Sequence, residues 1–285
     1  MTWTESELAQ AIADNVSAAL AEDLGSRGDL TARLIPAERR ARAHVITRED
    51  ATLAGRPWFD ACFQRLDANA LLRWHARDGE PVRAGQILCE IEGNARALLS
   101  AERPALNFLQ TLSGVATETR RYVDAIAGTR ARIYDTRKTL PGLRMAEKYA
   151  VRCGGGENHR TGLYDGILIK ENHIAAVGGI RPALEAAHRL APPGVFVQIE
   201  VETLAQLEEA LACGAVLVLL DNFDLDGMRE AVRLTAGRAQ LEASGGVDLG
   251  SVRAIAETGV DRISVGGLTK HVRAVDLSMR LLHDK

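Results

Sequence analysis

The stretch AVLVLLD at residues 215–221 is a run of six aliphatic residues that ends on a carboxylate. An unbroken aliphatic run of this length is typical of a strand that is buried on both faces, as in a parallel sheet. Five more short runs of buried-strand character occur in the same half of the chain. They lie at 132–136 (RIYDT), 166–170 (GILIK), 195–200 (VFVQIE), 239–244 (AQLEAS) and 261–266 (DRISVG). The C-terminal half is therefore predicted to contain six parallel strands.

Helical patterns with start and stop signals separate these runs. Pro141 is predicted to open a helix that ends at Gly154, and Pro182 to open another. Strands that alternate with helices indicate repeated βαβ units and a parallel sheet. Because a complete barrel of this kind has eight strands, the pattern favours an open or reduced α/β barrel.

The N-terminal half is predicted to form a separate α/β domain. An apolar residue at every fourth position over 8–24 indicates an amphipathic helix, and an extended segment is predicted at 41–47. A further helix is predicted from about Pro104. The stretch at 78–93 (DGEPVRAGQILCEIEG) is similar to half of a biotinyl or lipoyl carrier domain, but a carrier needs an exposed lysine, and the first lysine of the chain is Lys138. We therefore interpret 78–93 as β-structure of this domain.

Composition excludes several classes of protein. Of the 285 residues, 46% are apolar and 26% charged, which is the balance of a globular chain. The formal net charge of -3 offers no overall basic field for nucleic acid or for an anionic membrane. The four cysteines form no CxxC pair, so the sequence indicates neither a zinc site nor a disulfide framework. With no signal-peptide pattern and no membrane-length apolar run, we expect a cytoplasmic protein.

The predicted strands end on polar residues, and in an α/β barrel the C-terminal ends of the strands surround the active site. Arg137 and Lys138 follow the first strand, and Lys170 ends the second. The glycine-rich loop CGGGENHRTG, just before the second strand, adds His159 and Arg160. Arginine matches a carboxylate through paired hydrogen bonds. This basic half is therefore predicted to bind an anion with more than one carboxylate.

An acidic half follows on the next two strands. Glu200 ends the third strand and Asp221 the fourth. Paired carboxylates suit Mg²⁺, sugar hydroxyls or a developing positive charge. The last two strands end in SerGlyGly at 244–246 and in GlyGly at 266–267, each near a predicted helix start. Exposed backbone N–H groups in such loops are candidates for binding phosphate.

Ordinary structural roles compete with these interpretations. Glu200 and Asp221 could be ion-pair partners of the neighbouring basic residues, and the glycine pairs could be simple turns. Arg103 would by default be a solvated residue near a helix start, and Lys148 is predicted to lie on a solvated helix face. A lysine at a strand end, such as Lys170, would also suit a Schiff-base aldolase or lyase.

Several stretches together resemble one known family, the quinolinate phosphoribosyltransferases. The resemblance is carried by GDLT (28–31), ERPALNFLQ (102–110), DTRKTLPGLRMAEKYAV (135–151), GGGENHRTGLYDGILIKENH (154–173), IEVET (199–203), LLDNF (219–223), EASGGV (242–247) and ISVGGLT (263–269). The block at 135–173 is the longest and most specific of these. The resemblance extends over nearly the whole chain.

The resemblance implies the type II phosphoribosyltransferase fold, an open seven-stranded α/β barrel with an N-terminal α/β sandwich domain. It places the sandwich domain at 1–112, joined by 276–285, and the catalytic barrel at 113–275. It also implies a homodimer, with assembly beyond the dimer left open, in which the sandwich domain of one subunit covers the barrel mouth of the other. Arg103 would then act in trans, in the partner's substrate site.

The implied reaction joins quinolinate to 5-phosphoribosyl 1-diphosphate with Mg²⁺, giving nicotinate mononucleotide, diphosphate and CO₂ in de novo NAD biosynthesis. Catalytic roles are implied for Lys138, Lys170, Glu200 and Asp221, and the two carboxylates are also the candidates to hold Mg²⁺, directly or indirectly. The implied substrate-binding residues are Arg103, Thr136, Arg137, Lys138, His159, Arg160, Lys170, Glu200, Asp221, Ser244, Gly245, Gly246, Val265, Gly266 and Gly267. Within the fold, the nearest alternative is a salvage enzyme for nicotinate, whose single carboxylate needs fewer basic groups than this set offers.

Overall fold

The chain divides into two compact units in a computed structural model that describes residues 3–282. The parallel-sheet unit comprises residues 121–138 and 156–268. The antiparallel-sheet unit comprises residues 3–120, 139–155 and 269–282 of the described chain. This is a division by packing, and the domain boundaries expected at 112 and 275 stay a prediction.

Helices and strands alternate through both units. The helices are α1 (Glu5–Leu24), α2 (Arg56–Leu66), α3 (Ala95–Ala125), α4 (Arg144–Cys153), α5 (Glu171–Val177), α6 (Ile180–Leu190), α7 (Leu204–Ala212), α8 (Leu225–Thr235), α9 (Val252–Ala256) and α10 (Gly267–Lys270), with one 3-10 turn at Ala32–Leu34. The strands are β1 (Arg40–Thr47), β2 (Ala51–Thr52), β3 (Leu71–Trp74), β4 (Pro81–Val82), β5 (Ile87–Asn94), β6 (Arg132–Tyr134), β7 (Gly166–Ile169), β8 (Phe196–Val201), β9 (Leu217–Asp221), β10 (Gln240–Ser244), β11 (Arg262–Ser264) and β12 (Leu277–Leu282). Within residues 3–282, no helix is long and apolar enough to cross a membrane.

A six-stranded sheet forms the centre of the parallel-sheet unit. Its order is β6-β11-β10-β9-β8-β7, and every neighbouring pair is parallel. These strands fall on the six aliphatic runs, which confirms their prediction. The first strand lies beside the last, so the order is that of a barrel interrupted between β6 and β7.

A single residue stands where a seventh strand was implied. The sheet has six strands among the described residues, and Glu157 adds only a parallel bridge to Tyr134 of β6. Glu157 donates its N–H to the oxygen of Ile133 at 2.8 Å and accepts from the N–H of Asp135 at 3.1 Å. The pairing stops there because the next backbone donor, that of His159, bonds to the Asp135 carboxylate at 2.9 Å. The α/β fold class is confirmed, with six strands and one bridge in place of seven strands.

The register of the sheet sorts its side chains into an apolar and a polar face. Alternate residues of a strand share a face. The polar face carries Gln198, Glu200, Asp221, Glu242 and Ser244, and the opposite face carries Ile199, Val201, Val218, Leu220 and Ala243, which have no exposed surface. The chemistry of the unit is therefore confined to one side of the sheet and to the strand ends.

The antiparallel-sheet unit contains a sheet in the order β12-β1-β5-β3 and a small pair, β2-β4. Strand β12 returns to pair with β1, with Met279 opposite Val45. The core of the unit includes Trp58, Phe59 and Phe63 of α2, which are almost completely buried. The extended segment predicted at 41–47 is β1, and the stretch at 78–93 contributes β4 and β5, as interpreted.

Pro104 does not begin a helix, and that prediction was wrong. It lies inside α3, which begins at Ala95. The start is set by Asn94, whose side-chain oxygen accepts from the N–H groups of Arg96 and Ala97 at 3.0 and 3.3 Å. Packing of the residues before the proline offsets its missing N–H donor.

Two other helix starts differ from prediction by a few residues. Helix α4 begins at Arg144 and not at Pro141, because Gly142 between them has φ +77°, outside the helical region. Helix α6 begins at Ile180. Pro182 therefore sits within the first turn, where the missing N–H costs nothing.

Lys148 has no exposed surface, so its prediction as a solvated residue was wrong. Its neighbours on α4, among them Ala146, Glu147 and Ala150, are also buried. These residues point to several sides of the helix, since successive residues are about 100° apart. Helix α4 thus lacks the broad solvated face that the sequence pattern assumed.

Candidate active site

Lys170 and Glu200 join the basic and acidic halves of the predicted site. Lys170 follows β7, Glu200 lies in the neighbouring strand β8, and Lys170 Nζ donates to Glu200 Oε2 at 2.7 Å. Burial raises the pKa of Glu200, the contact with Lys170 lowers it, and the charge of Asp221 raises it again. The two carboxylates are therefore close enough to repel each other, and one lysine offsets this only in part. A further positive charge at this point would be stabilised.

Asp221 is held at the end of β9 by the residue that follows it. Asn222 has φ +55°, in the left-handed region that non-glycine residues rarely adopt. Its Nδ2 donates to Asp221 Oδ2 at 3.1 Å, and its N–H donates to the oxygen of Ser244 at 3.1 Å. A side chain on Gly245 would collide with the Asn222 side-chain oxygen. Asp221 and the loop at 244–246 are thus packed together, and strained backbone of this kind is frequent at functional sites.

Arg137 and Arg160 bring two positive charges together on the basic side. Burial lowers the pKa of the Arg160 guanidinium, and the nearby charge of Arg137 lowers it further. Arg160 is 9% exposed, and its Nη1 donates to the oxygen of Gly166 at 3.0 Å. Two neighbouring guanidinium groups repel each other unless an anion lies between them. The pair therefore favours a carboxylate ligand.

His159 lies beside Arg160 with both ring nitrogens in hydrogen-bonding contact with the protein. Nδ1 accepts from the N–H of Arg160 at 2.8 Å, and Nε2 lies 2.8 Å from the side-chain oxygen of Gln198. The histidine side chain is 8% exposed. In this arrangement both ring nitrogens contact the protein, and the predicted role of His159 in binding substrate stays a prediction.

Lys138 and Thr136 lie against the glycines that follow β11. The Thr136 hydroxyl accepts from the Lys138 N–H at 3.0 Å. A Cβ on Gly266 would come within 3.0 Å of the Lys138 side chain and 3.6 Å of the Thr136 hydroxyl. A larger residue at position 266 would require the Lys138 side chain to move slightly, so the end of β6 and the 265–267 loop lie close together.

The two glycine loops differ in how close the next helix begins. Helix α10 begins at Gly267 itself, so the helix start expected after β11 is present. After β10, Gly245 and Gly246 have φ +103° and +58°, and the next helix, α9, begins only at Val252. A turn held by the Asp248 carboxylate, which accepts from the N–H of Ser251 at 2.8 Å, fills the interval. The 244–246 loop therefore offers turn amides and no adjacent helix start.

Arg103 lies in the other unit, on the exposed side of α3. It lines a cavity together with Glu22, Asp23, Asn107 and Leu143. Its predicted action in the partner's site stays a prediction.

Glu200 and Asp221 fit only one mode of metal binding. No group of three or more His, Cys, Asp or Glu side chains that could hold a metal occurs in the described part of the chain. Mg²⁺ commonly keeps several waters and is held by one or two carboxylates together with substrate phosphates. The carboxylate pair suits that mode and no all-protein cage.

Gln198 and Glu242 belong to the site region but were missed by sequence reasoning, although a signal was present for both. The runs VFVQIE and AQLEAS carry a polar residue at alternate positions of strands that are otherwise buried, which indicates a polar interior face. Asn222 stands with Asp221 among the polar residues at the end of the fourth predicted strand, but nothing in the sequence indicated its backbone angle.

Fold and site together define an α/β-barrel enzyme that binds a polyanionic substrate next to a pair of carboxylates. Two family profiles match the chain. The one described as "Quinolinate phosphoribosyl transferase, N-terminal domain" matches residues 29–113, and the one described as "Quinolinate phosphoribosyl transferase, C-terminal domain" matches residues 115–280. The chain belongs to the quinolinate phosphoribosyltransferase family.

Individual relatives agree with this assignment. A probable nicotinate-nucleotide pyrophosphorylase [carboxylating] of Bacillus subtilis is 46% identical over 258 residues, which cover 90% of this chain and 89% of the relative. The nicotinate-nucleotide pyrophosphorylase [carboxylating] of Mycobacterium leprae is 42% identical and covers 94% of this chain and 96% of its own. Among solved structures, the nicotinate-nucleotide pyrophosphorylase from Francisella tularensis is 44% identical with a TM-score of 0.92, over 96% of this chain and 97% of that one.

Proposed function

We propose that this protein transfers the phosphoribosyl group of 5-phosphoribosyl 1-diphosphate to quinolinate. Diphosphate and CO₂ are released, and nicotinate mononucleotide is formed for de novo NAD biosynthesis. The observation that carries the proposal is the 2.7 Å contact between Lys170 and Glu200, which joins the basic half of the site to the acidic half in a member of this family.

Quinolinate fits the basic half of the site because it carries two adjacent carboxylates. The close pair of Arg137 and Arg160 supplies two guanidinium groups for one dianion. Lys138, which lies against the 265–267 loop, adds a third positive charge near the position proposed for the sugar phosphate. Nicotinate, with one carboxylate, would leave part of this charge without a partner.

The sugar substrate fits the acidic half and the glycine loops. The bond from C1 of the ribose to the diphosphate oxygen breaks, with its electron pair leaving on the diphosphate, and the lone pair of the pyridine nitrogen forms the new bond to C1. Glu200 and Asp221 face the positive charge that develops on the ribose, and Lys170 orients Glu200. The backbone amides of 244–246 and 265–267 are suited to the 5-phosphate.

Mg²⁺, the implied cofactor, would be held by Glu200 and Asp221 together with the diphosphate of the substrate. When bound, it neutralises charge on the leaving diphosphate. The residues of the chain contribute the remaining work, which is to bind both substrates, orient the carboxylates and exclude water.

Loss of CO₂ needs little beyond positioning. Once its nitrogen is ribosylated, the pyridine ring carries a positive charge beside C2. The bond from C2 to its carboxylate can then break with the electron pair left on C2, and water supplies the proton that replaces CO₂. A site that holds the ring and excludes bulk water is sufficient, and no dedicated general base is required.

A homodimer is part of the proposal, with Arg103 of one subunit reaching quinolinate in the site of the other. Support comes from its exposure on α3 and from its lying in a different unit from the strand-end residues. The expected cytoplasmic location also stays a prediction.

The proposal is tested by supplying the purified protein with 5-phosphoribosyl 1-diphosphate, Mg²⁺ and either quinolinate or nicotinate. We expect nicotinate mononucleotide and CO₂ in equal amounts from quinolinate and little product from nicotinate. Turnover of nicotinate without CO₂ would favour the salvage reaction. Borohydride trapping of a carbonyl substrate on Lys170 would favour the Schiff-base alternative, which the contact of this lysine with a carboxylate disfavours.

A further inference from the structure

A chain of hydrogen bonds runs from His159 into the buried interior of the sheet. His159 Nε2 lies 2.8 Å from Gln198 Oε1, and Gln198 Nε2 donates to Glu242 Oε2 at 3.0 Å. Gln198 and Glu242 have no exposed surface. The other oxygen of Glu242 has no hydrogen-bond partner among the described residues. Glu242 Oε2 also lies 3.7 Å from His159 Nε2. A buried carboxylate with a single hydrogen bond is costly, which indicates a role beyond packing.

The chemistry of Glu242 fixes the direction of every bond in this chain. As a carboxylate it only accepts, so Gln198 must turn its NH₂ group toward Glu242 and its oxygen toward His159. That oxygen in turn requires the proton of the imidazole to be on Nε2. Nδ1 is then left as an acceptor, and it receives the N–H of Arg160 at 2.8 Å. The carboxylate thereby selects the histidine tautomer and, through it, the position of the Arg160 backbone.

We propose that Gln198 and Glu242 are positioning residues for quinolinate binding, acting through His159 on Arg160. The identity of the anion in this inference rests on the proposed function. The histidine tautomer that the inference requires does not depend on that function. His159 belongs in the chain between Glu242 and Arg160 and does not donate to the substrate. The bond of the Arg160 guanidinium to Gly166 at 3.0 Å fixes the other end of this residue. Residues that orient metal ligands change affinity by about 10- to 100-fold, and we expect an effect of the same order here.

The first test exchanges the two partners of the chain. Gln198→Glu places two carboxylates side by side. Glu242→Gln removes the carboxylate that orients the Gln198 amide. Each variant is expected to raise KM for quinolinate about 10-fold or more with little change in kcat. In the double variant, the carboxylate at position 198 accepts from both His159 Nε2–H and the new amide at 242. It is therefore expected to restore KM to within about threefold of the original. Glu208→Gln, an exposed carboxylate on α7, is the matched control and should change nothing.

Substitution of the histidine itself tests the chain without touching Glu242. His159→Asn places an oxygen where Nδ1 stood and keeps an acceptor for the Arg160 N–H, whereas His159→Gln places its amide near Nε2. The inference expects the asparagine variant to bind quinolinate more tightly than the glutamine variant. A substrate ligand acting through Nε2 would give the reverse order, which would overturn the inference.

The tautomer is measured directly from the ¹⁵N chemical shifts of the imidazole in the unliganded protein. We expect the Nε2–H form in the unsubstituted protein and its loss in Glu242→Gln. An Nδ1–H form or a charged imidazolium in the unsubstituted protein would overturn the inference. A double variant whose KM for quinolinate is no lower than that of the single variants would also overturn it.

Arg160→Ala separates the two proposals. If it leaves KM for quinolinate unchanged, the proposed binding site fails, whereas an effect of Arg160→Ala without one of Glu242→Gln rejects only the positioning chain.

Discussion

At the scale of single residues, the site is a balance of like charges brought close together. The charge of Asp221 raises the cost of ionising Glu200, and the charge of Arg137 raises the cost of ionising Arg160. Such arrangements persist in proteins where a ligand supplies the missing opposite charge. In the proposed reaction one substrate brings negative charge to the arginines, and the other develops positive charge beside the carboxylates. A pyridine diacid that attacks an activated ribose meets both requirements.

Arg160→Ala is expected to raise KM for quinolinate by about 10- to 100-fold, the loss of one charge-assisted contact. KM for 5-phosphoribosyl 1-diphosphate should stay within about threefold, because the guanidinium belongs to the basic half. Steady-state kinetics with each substrate varied in turn make this comparison. An equal rise in both KM values would argue against the division of the site, and Arg229→Ala on the exposed face of α8 controls for loss of a surface arginine.

Asp221→Asn is expected to lower kcat by about 10²-fold with small changes in both KM values. The substitution keeps the shape of the side chain but removes a charge that faces the developing cation. Single-turnover measurement of the chemical step is the check, and Asp226→Asn, five positions further on and exposed, is the control. An unchanged rate in Asp221→Asn would remove this carboxylate from the mechanism.

At the scale of elements, the strands of the parallel sheet were predictable and the interiors of both units were not. Short aliphatic runs such as AVLVLLD, set between helix signals, favour buried strands, and the residues at their C-terminal ends then follow. The predictions for Pro104 and Lys148 were wrong because each was made from the local sequence. Tertiary packing decides that the helix continues through Pro104 and that Lys148 is buried. The pairing of Gln198 with Glu242 spans 44 residues, and no local pattern encodes a partner at that separation.

Asp29, in the GDLT stretch, fastens the 3-10 turn that follows it to α3. Its carboxylate accepts from the Ala32 N–H at 2.9 Å and from the Ser100 hydroxyl at 2.8 Å. Asp29→Ala is therefore expected to lower the free energy of unfolding by about 1–3 kcal/mol at neutral pH. Denaturant titration measures this, with Asp14→Ala on the exposed side of α1 as the control.

The contribution of Asp29 should depend on pH in one direction only. The bond from Ala32, and then that from Ser100, hold the pKa of the Asp29 carboxyl below its ordinary value. Its stabilising effect is thus fully present above the unfolded-state pKa of about 3.9 and is lost as the pH falls through the lower folded-state pKa. The difference between Asp29→Ala and the original chain should be constant from about pH 6 to 8 and shrink in acid. A difference that grows in acid would contradict this assignment.

At the scale of the whole molecule, the chain carries its predicted site residues in two units. The strand-end residues belong to the parallel-sheet unit, and Arg103 belongs to the antiparallel-sheet unit. The family profiles cover both units, at 29–113 and 115–280, so the likeness is to a complete two-part enzyme. In the proposed dimer, the antiparallel-sheet unit contributes Arg103 to the site of the partner subunit.

Mixing two inactive variants tests that sharing of the site. Subunits with Arg103→Ala and subunits with Lys170→Ala each lack one proposed component. If Arg103 acts in trans, randomly mixed dimers have one intact site in every heterodimer, and activity should return to about a quarter of the original. The mixture is assayed after joint refolding or co-expression, and no recovery in proven heterodimers would place Arg103 within its own subunit's site.

The central claim is that one mouth of the α/β barrel holds the pyridine diacid against Arg137 and Arg160 while the activated pentose faces Glu200 and Asp221. A crystal structure with quinolinate, Mg²⁺ and an unreactive analogue of 5-phosphoribosyl 1-diphosphate measures this most directly. We expect both molecules in a single cavity, with the pyridine nitrogen aimed at C1 of the ribose. Ligands bound in separate cavities, or carboxylates of quinolinate out of reach of both arginines, would contradict it.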